Sequence, residues 1–226
     1  GDPGDSPLFN RAVQGVYELG STFKIFAAAQ AMDLGLVNPE TMVDANAPMQ
    51  WGKFKIKEFE NHNYGPLLSV SDVITQSSNV GTAHIALMIG GLRQQAFLKT
   101  LGLLDASPIE LIEAAGAKPL VPKRWPDIVT ITASYGHGVS SSPLNLAAAY
   151  AIIANGGTKV VPTLLHRDTP NVGERVMSAQ TARNAVTMLR RVVTEGTASL
   201  GDVPGYAVAG KTGTADKPKR GGGYYD

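Results

Sequence analysis

The chain has 226 residues, 43% of them hydrophobic and 17% charged, which is enough for one large globular domain or a domain with a subdomain. With 20 Lys+Arg against 19 Asp+Glu the net charge is +1, so no bulk attraction to nucleic acid or acidic membranes is implied, and no nucleic-acid partner is expected. Cysteine is absent, which excludes disulfides, thiolate metal sites and a cysteine nucleophile, and His62, His84, His137 and His166 show no metal-ligand pairing, so neither metal nor cofactor is expected.

In chain order, Gly1 to Asn10 reads as a Gly/Asp/Pro-rich loop. A helix is expected from near Ser21, with Ile25, Phe26, Ala29 and Met32 on its apolar face and Gly35 as its stop. Leu36 to Pro66 reads as short strands and turns, with Trp51, Phe54, Ile56 and Phe59 as apolar content. Ser69 or Ser71 is placed to cap the next helix, which runs toward Ser77-Ser78-Asn79. Another helix follows through Ala83 to Met88 and is broken by Gly90-Gly91. Leu92 to Leu101 has a helical pattern, Ser107-Pro108-Ile109-Glu110 opens a short turn or helix, and Ile128 to Ser134 reads as helical or extended, with helix favoured. Pro143 opens a helix closed by Asn155-Gly156-Gly157. Thr158 to Val161 is expected to be a strand, and Ser178 caps a long helix through Val193. Tyr206 to Ala209 is a strand candidate running into Gly210-Lys211-Thr212-Gly213-Thr214. Lys217-Pro218-Lys219-Arg220, beside three glycines, reads as a solvated loop. No stretch approaches the ~18 consecutive apolar residues of a membrane span.

Three stretches could carry chemistry. In Ser21-Thr22-Phe23-Lys24 the spacing puts an amine on the same helical face as a hydroxyl. A serine needs a base to become a nucleophile, and a desolvated lysine can be one. A helix start also supplies N–H groups for a developing oxyanion. Ser77-Ser78-Asn79, at a junction of two helices, can turn Ser77 and Asn79 into a cleft while Ser78 points elsewhere; the bland alternative is a helix cap. Lys211-Thr212-Gly213-Thr214 can offer a positive charge and hydroxyls to a carboxylate, with Gly213 leaving room for a ligand against the backbone. Gly205 to Thr212 also matches the phosphate-loop pattern G-x-x-x-x-G-K-[ST], but the residues after Thr212 cannot sustain the helix that motif requires.

Taken together and in this order, Ser21-x-x-Lys24, Ser77-x-Asn79 and Lys211-Thr212-Gly213 resemble the penicillin-binding protein and serine β-lactamase superfamily. Asn10-Arg11-Ala12-Val13, Thr75 to Gly81, Tyr135-Gly136-His137-Gly138, Ser142 to Ala147 and Gly205 to Ala215 narrow the resemblance to the class B penicillin-binding proteins, over nearly the whole chain. That resemblance implies a D,D-transpeptidase that cross-links peptidoglycan stem peptides, with D-Ala-D-Ala ends as substrate, β-lactams as inhibitors and cell-division proteins as partners. It implies Ser21 as the acylated nucleophile, Lys24 as its base, Ser77 as proton relay and Asn79 as the residue orienting Lys24 and substrate. Lys211, Thr212, Gly213 and Thr214 would bind the terminal carboxylate, and the backbone N–H groups of Ser21 and Thr214 would form the oxyanion hole. It also implies a location on the periplasmic face of the bacterial inner membrane, reached through an anchor absent from this chain.

Within the superfamily, Ser-Thr-Phe-Lys also occurs in class D β-lactamases, which carry Tyr-Gly-Asn where this chain has Ser77-Ser78-Asn79. Glu110 and Glu113 do not fit the deacylating E-x-x-L-N motif of class A enzymes, which favours a transpeptidase; a class D-like β-lactamase, a penicillin sensor, a non-catalytic division scaffold and a nucleotide-binding protein are the alternatives. The implied fold is α+β, an antiparallel sheet flanked by helices with a helical subdomain over roughly residues 36–155. The family's sheet has five strands, and of these only the Lys211 strand is expected here; the outer strands and last helix are expected to be missing, so that residues 1–226 form a transpeptidase domain incomplete at both ends. His137 is expected to be structural or cleft-lining, and Trp51, Tyr64 and Tyr224 are candidates to line a groove or pack in loops.

Overall fold

The computed structural model describes residues 6–169 and 173–214. The basic run at 217–220 and Tyr224 lie outside the described residues.

The molecule is built around one helix. Lys24–Asp33 (α1) follows a 3-10 turn at Gly20–Phe23, and every residue from Lys24 to Met32 is buried. Its sequence, Lys-Ile-Phe-Ala-Ala-Ala-Gln-Ala-Met-Asp, is apolar around most of its circumference, and a helix of that kind is stable only when surrounded. Four alanines let neighbours approach closely. Val70–Thr75 (α2), Asn79–Ile89 (α3), Gly91–Thr100 (α4), Asp127–Ser134 (α5), Pro143–Ala154 (α6) and Ala179–Thr194 (α7) complete the helices among the described residues. Phe23, Ile25 and Phe26 join Val73, Ile74, Ile85, Ile152, Leu189 and Val192 in one core. Phe26 meets Phe23 and Tyr150 edge-on at 5.8 and 5.4 Å.

The helix starts are written in serine. Ser69, Ser78, Ser142 and Ser178 accept from the backbone N–H three residues on and so cap α2, α3, α6 and α7. Of the two serines that could cap α2, it is Ser69 that does so. Strand content is small. Met42–Asp44 (β1) pairs antiparallel with Leu67–Ser69 (β4), and Met49–Trp51 (β2) with Phe54–Ile56 (β3). Beneath the β2–β3 hairpin, Met49, Ile56, Val80, Ala83 and Ile131 form a second core, with Trp51 packed against it.

The class is α+β, as the sequence implies, but two expected strands are not formed. Thr158–Val161 contributes only an isolated bridge from Thr158 to Arg175. Tyr206–Ala209 has no strand partner among the described residues; it runs along α7 instead, with Arg190 Nη1 donating to Val208 O at 2.7 Å and Gly210 N to Leu189 O at 3.1 Å. Strand geometry needs a ladder partner, and apolar β-forming residues alone do not supply one. The Lys211 strand and the sheet around it are therefore absent from the described residues. So is the strand that the phosphate-loop reading of Gly205 to Thr212 requires. The turn or helix expected from Ser107 appears later, as a 3-10 turn at Ile112–Ala114.

Candidate active site

The start of α1 fixes the first two residues. Ser21 sits in the 3-10 turn, and the Lys24 N–H donates to Ser21 O, closing that turn. Because α1 is buried all round, so is its first side chain: Lys24 is 1% exposed. The turn is braced from outside. Tyr150 Oη donates to Thr22 O at 2.8 Å, Thr22 Oγ1 to Leu19 O at 2.8 Å, and Gly20 N to Gly136 O at 3.3 Å.

Ser77 lies between α2 and α3 with a positive φ of 63°. This left-handed step turns its side chain toward Lys24 while Ser78 goes the other way. Ser78 is fully buried and caps α3 through Gly81 N at 2.9 Å. The capping reading of Ser77-Ser78-Asn79 is thus met by Ser78, while Ser77 and Asn79 stand at the wall of a cavity.

Ser77 Oγ is the meeting point of two amines. Lys24 Nζ donates to it at 3.1 Å and also to the Ser77 carbonyl; Lys211 Nζ donates to it at 2.9 Å. Lys211 further donates to Thr212 O at 3.1 Å, and the Thr212 and Thr197 hydroxyls are hydrogen-bonded to each other at 2.7 Å. The Lys24 amine is pushed well below its ordinary pKa, first by burial and then by the Lys211 charge, with Glu58 acting in the opposite direction. Burial lowers Lys211 to about 8. Of the two amines on this hydroxyl, the desolvated and repelled Lys24 is the one favoured to give up its proton.

A cavity of about 420 Å³ opens over these residues, large enough for a peptide end. Ser21, Lys24, Ser77, Asn79, Thr212, Gly213 and Thr214 line it. The segment at 212–214 reaches Ser21 through close backbone contact rather than through a sheet. A Cβ on Gly20, whose φ is +57°, would run into Thr214 O, and one on Gly213 would come within 2.7 Å of Thr22 Cγ2. Ser21 and Thr214 thereby line one cavity.

Asn79 also stands at the cavity wall, but its Nδ2 donates to Lys57 O at 2.8 Å, and Lys24 is held by Ser77 alone among the described residues. His137 lines the same cavity, with Nδ1 3.0 Å from Glu18 Oε2. Its neighbour Gly138 N donates to Glu18 Oε1 at 3.0 Å. Tyr64, stacked on His62 at 5.9 Å, is a cavity-lining residue as well. Burial, then Glu58, raises the Tyr64 phenol.

Sequence reasoning did not find Glu58 or Thr197. Glu58 lies on a loop with no motif around it. Thr197 follows α7 with no pattern that ties it to Thr212.

Comparison with known proteins places these features in a family. The family model described as "Penicillin binding protein transpeptidase domain" matches residues 2–226. The probable peptidoglycan D,D-transpeptidase FtsI of Caulobacter vibrioides is 37% identical over 94% of this chain and 36% of its own length. The Escherichia coli K12 peptidoglycan D,D-transpeptidase FtsI is 31% identical over 92% of this chain and 35% of its own length. The chain thus spans about a third of the length of these relatives. The apo TP domain of Burkholderia pseudomallei penicillin-binding protein 3 superposes with a TM-score of 0.88 at 37% identity, covering 96% of this chain and 66% of that one. Mycobacterium tuberculosis penicillin-binding protein 3 complexed with ampicillin gives 0.87 at 32% identity, covering 99% and 53%.

Proposed function

The chain belongs to the penicillin-binding protein transpeptidase family, and we propose on that premise that it carries the acylating centre of a peptidoglycan D,D-transpeptidase. The observation that supports this most directly is the convergence of Lys24 and Lys211 on Ser77 Oγ beside Ser21.

In this reading neutral Lys24 takes the Ser21 proton as Oγ attacks the carbonyl of the penultimate D-Ala of a stem peptide. The N–H groups of Ser21 and Thr214 receive the tetrahedral oxyanion. Ser77 passes the proton on to the departing D-Ala nitrogen, which leaves Ser21 as an ester. Lys211 with Thr212 and Thr214 anchors the terminal carboxylate, Gly213 keeps the backbone open to the peptide, and Asn79 orients the substrate amide. An amine of a neighbouring stem then attacks the ester, gives up its proton through Ser77 and Lys24, and releases Ser21. No step calls for a cofactor.

A β-lactam follows the first half only: Oγ opens the ring amide and the nitrogen stays tethered, so it does not leave the site. Proteins of the division machinery are the proposed partners. The periplasmic face of the inner membrane, where peptidoglycan lies, is the proposed location; no helix among the described residues is long and apolar enough to cross a membrane.

The test is a fluorescent penicillin applied to the protein that carries this chain. The label is expected on Ser21 and is expected to vanish in Ser21→Ala. A label that persists in Ser21→Ala, or a wild-type protein that is never labelled, overturns the assignment. Rapid multiple turnover of a chromogenic cephalosporin would instead indicate a β-lactamase.

A further inference from the structure

Beneath the Ser77-Ser78-Asn79 turn lies a carboxylate that the mechanism above does not use. Glu58 is 4% exposed, a burial uncommon for a carboxylate without partners. Its partners all belong to the start of α3. Ser78 Oγ donates to Oε1 at 2.6 Å, Asn79 N to Oε2 at 2.6 Å and Val80 N to Oε1 at 3.3 Å. It sits where the helix dipole and the unpaired N–H groups of α3 favour an anion. The next residue back, Lys57, offers its carbonyl to the Asn79 side chain at 2.8 Å, so the loop grips the turn at two points.

We propose that Glu58 is a positioning residue for Ser21 acylation: its buried carboxylate clamps the Ser77–Asn79 turn against Lys24 and supplies the negative charge that keeps the buried Lys24–Lys211 pair in balance. The inference rests on the reading of Lys24 as the base. Two amines meet at Ser77 Oγ, and whenever Lys24 is protonated its repulsion by Lys211 has to be offset for both to stay within hydrogen-bond reach. The charged and titratable groups facing this point are Lys211 and Glu58 on Lys24, with Tyr64, His62 and His137 on the cavity wall. Lys55 and Lys57 lie with Glu58 on its far side, in a separate pocket. Of these, Glu58 is the one that acts to hold the proton on Lys24. The backbone clamp also fixes Ser77 in its left-handed conformation, since Ser77 is bounded on its C-terminal side by residues whose N–H and O–H groups Glu58 holds.

A clamp and a counter-charge make different predictions for different substitutions. Glu58→Gln keeps the size and removes the charge; Lys24 then loses its proton more readily, and the acidic limb of the penicillin acylation rate against pH moves toward acid by about one unit. Glu58→Asp keeps the charge and falls one methylene short of the α3 amides. It lowers the acylation rate but leaves the acidic limb where it is in the wild-type protein. A limb unchanged in Glu58→Gln, or one that moves in Glu58→Asp as far as expected for Gln, overturns the proposal. The same shift is read without any reaction by NMR titration of 13C-labelled Lys24 in the wild-type and Glu58→Gln proteins. A wild-type protein that no penicillin acylates would therefore sink the function and leave the Lys24 titration to decide on Glu58.

Discussion

At the scale of single residues, the two lysines differ in their surroundings. Lys24 is buried and repelled by Lys211, so its proton is lost more readily; Lys211 is partly open and lowered by burial to about 8. The proposed roles need Lys24 neutral and Lys211 charged. Acylation should accordingly rise with pH as Lys24 deprotonates and fall again above about 8 as Lys211 loses its charge. Lys211→Arg keeps a positive charge throughout this range, so the fall above pH 8 is expected to disappear in that variant even if the maximal rate drops. Stopped-flow acylation by a penicillin across pH 5–10 checks this; a wild-type fall near 8 that Lys211→Arg leaves in place would show that another group sets it. Ser21, Lys24, Ser77 and Lys211 were legible in the sequence because each lies in a short motif whose spacing carries its own geometry. Glu58 was not, because its link to Asn79 depends on the path of a loop, and nothing local to Lys57-Glu58-Phe59 announces a partner twenty residues ahead.

At the scale of elements, the site depends on backbones that touch where side chains would not fit. Gly136, at φ +79°, lies so close to the Gly20 backbone that a Cβ there would strike Gly20 O and N. Gly20 in turn leaves room for Thr214. The Tyr135-Gly136-His137-Gly138 turn, the Ser21 turn and the Lys-Thr-Gly segment are thus layered through two glycines. Gly136→Ala adds a left-handed strain of about 1–2 kcal/mol and pushes the Ser21 turn off its seat. It is expected to cut penicillin acylation at least about tenfold while the helical circular dichroism stays the same, since a 1 Å misplacement can cost ~100-fold. Wild-type acylation by Gly136→Ala would show that this contact does not set the position of Ser21. Helices were legible in the sequence because caps such as Ser69, Ser142 and Ser178, and stops such as Gly90 and Gly156, act locally. Tyr206 to Ala209 misled because β propensity is satisfied only by a partner strand, and the described partner of this segment is α7.

At the scale of the whole molecule, the buried titratable groups tie folding to pH in two opposed ways. Lys24 and Lys211 have lowered pKa values in the folded protein, both first through burial. Below those values folded and unfolded chains are equally protonated, and the penalty of burying the charges is felt in full. Between them and about 10.4 the unfolded chain still holds protons that the folded one has lost, so stability rises with pH. Tyr135, pushed up to about 12 by burial, and Tyr150, pushed higher still for the same reason, act the other way. From about pH 10 the unfolded phenols ionise while the folded ones do not, and stability falls as pH rises. The urea midpoint is therefore expected to climb from pH 7, peak near about 10 and then decline. Lys24→Met separates the contributions. Each unit by which burial lowers the Lys24 pKa corresponds to about 1.4 kcal/mol, and an apolar side chain of similar length at the start of this mostly apolar helix escapes that cost. The variant should be more stable than wild type at pH 7, by a few degrees in thermal midpoint, and should show a shallower climb toward pH 10, while losing acylation. A Lys24→Met protein less stable than wild type at pH 7 would mean that the bonds from Lys24 to Ser77 outweigh the desolvation of the amine, so that the base would be held in place by stability as well as by function.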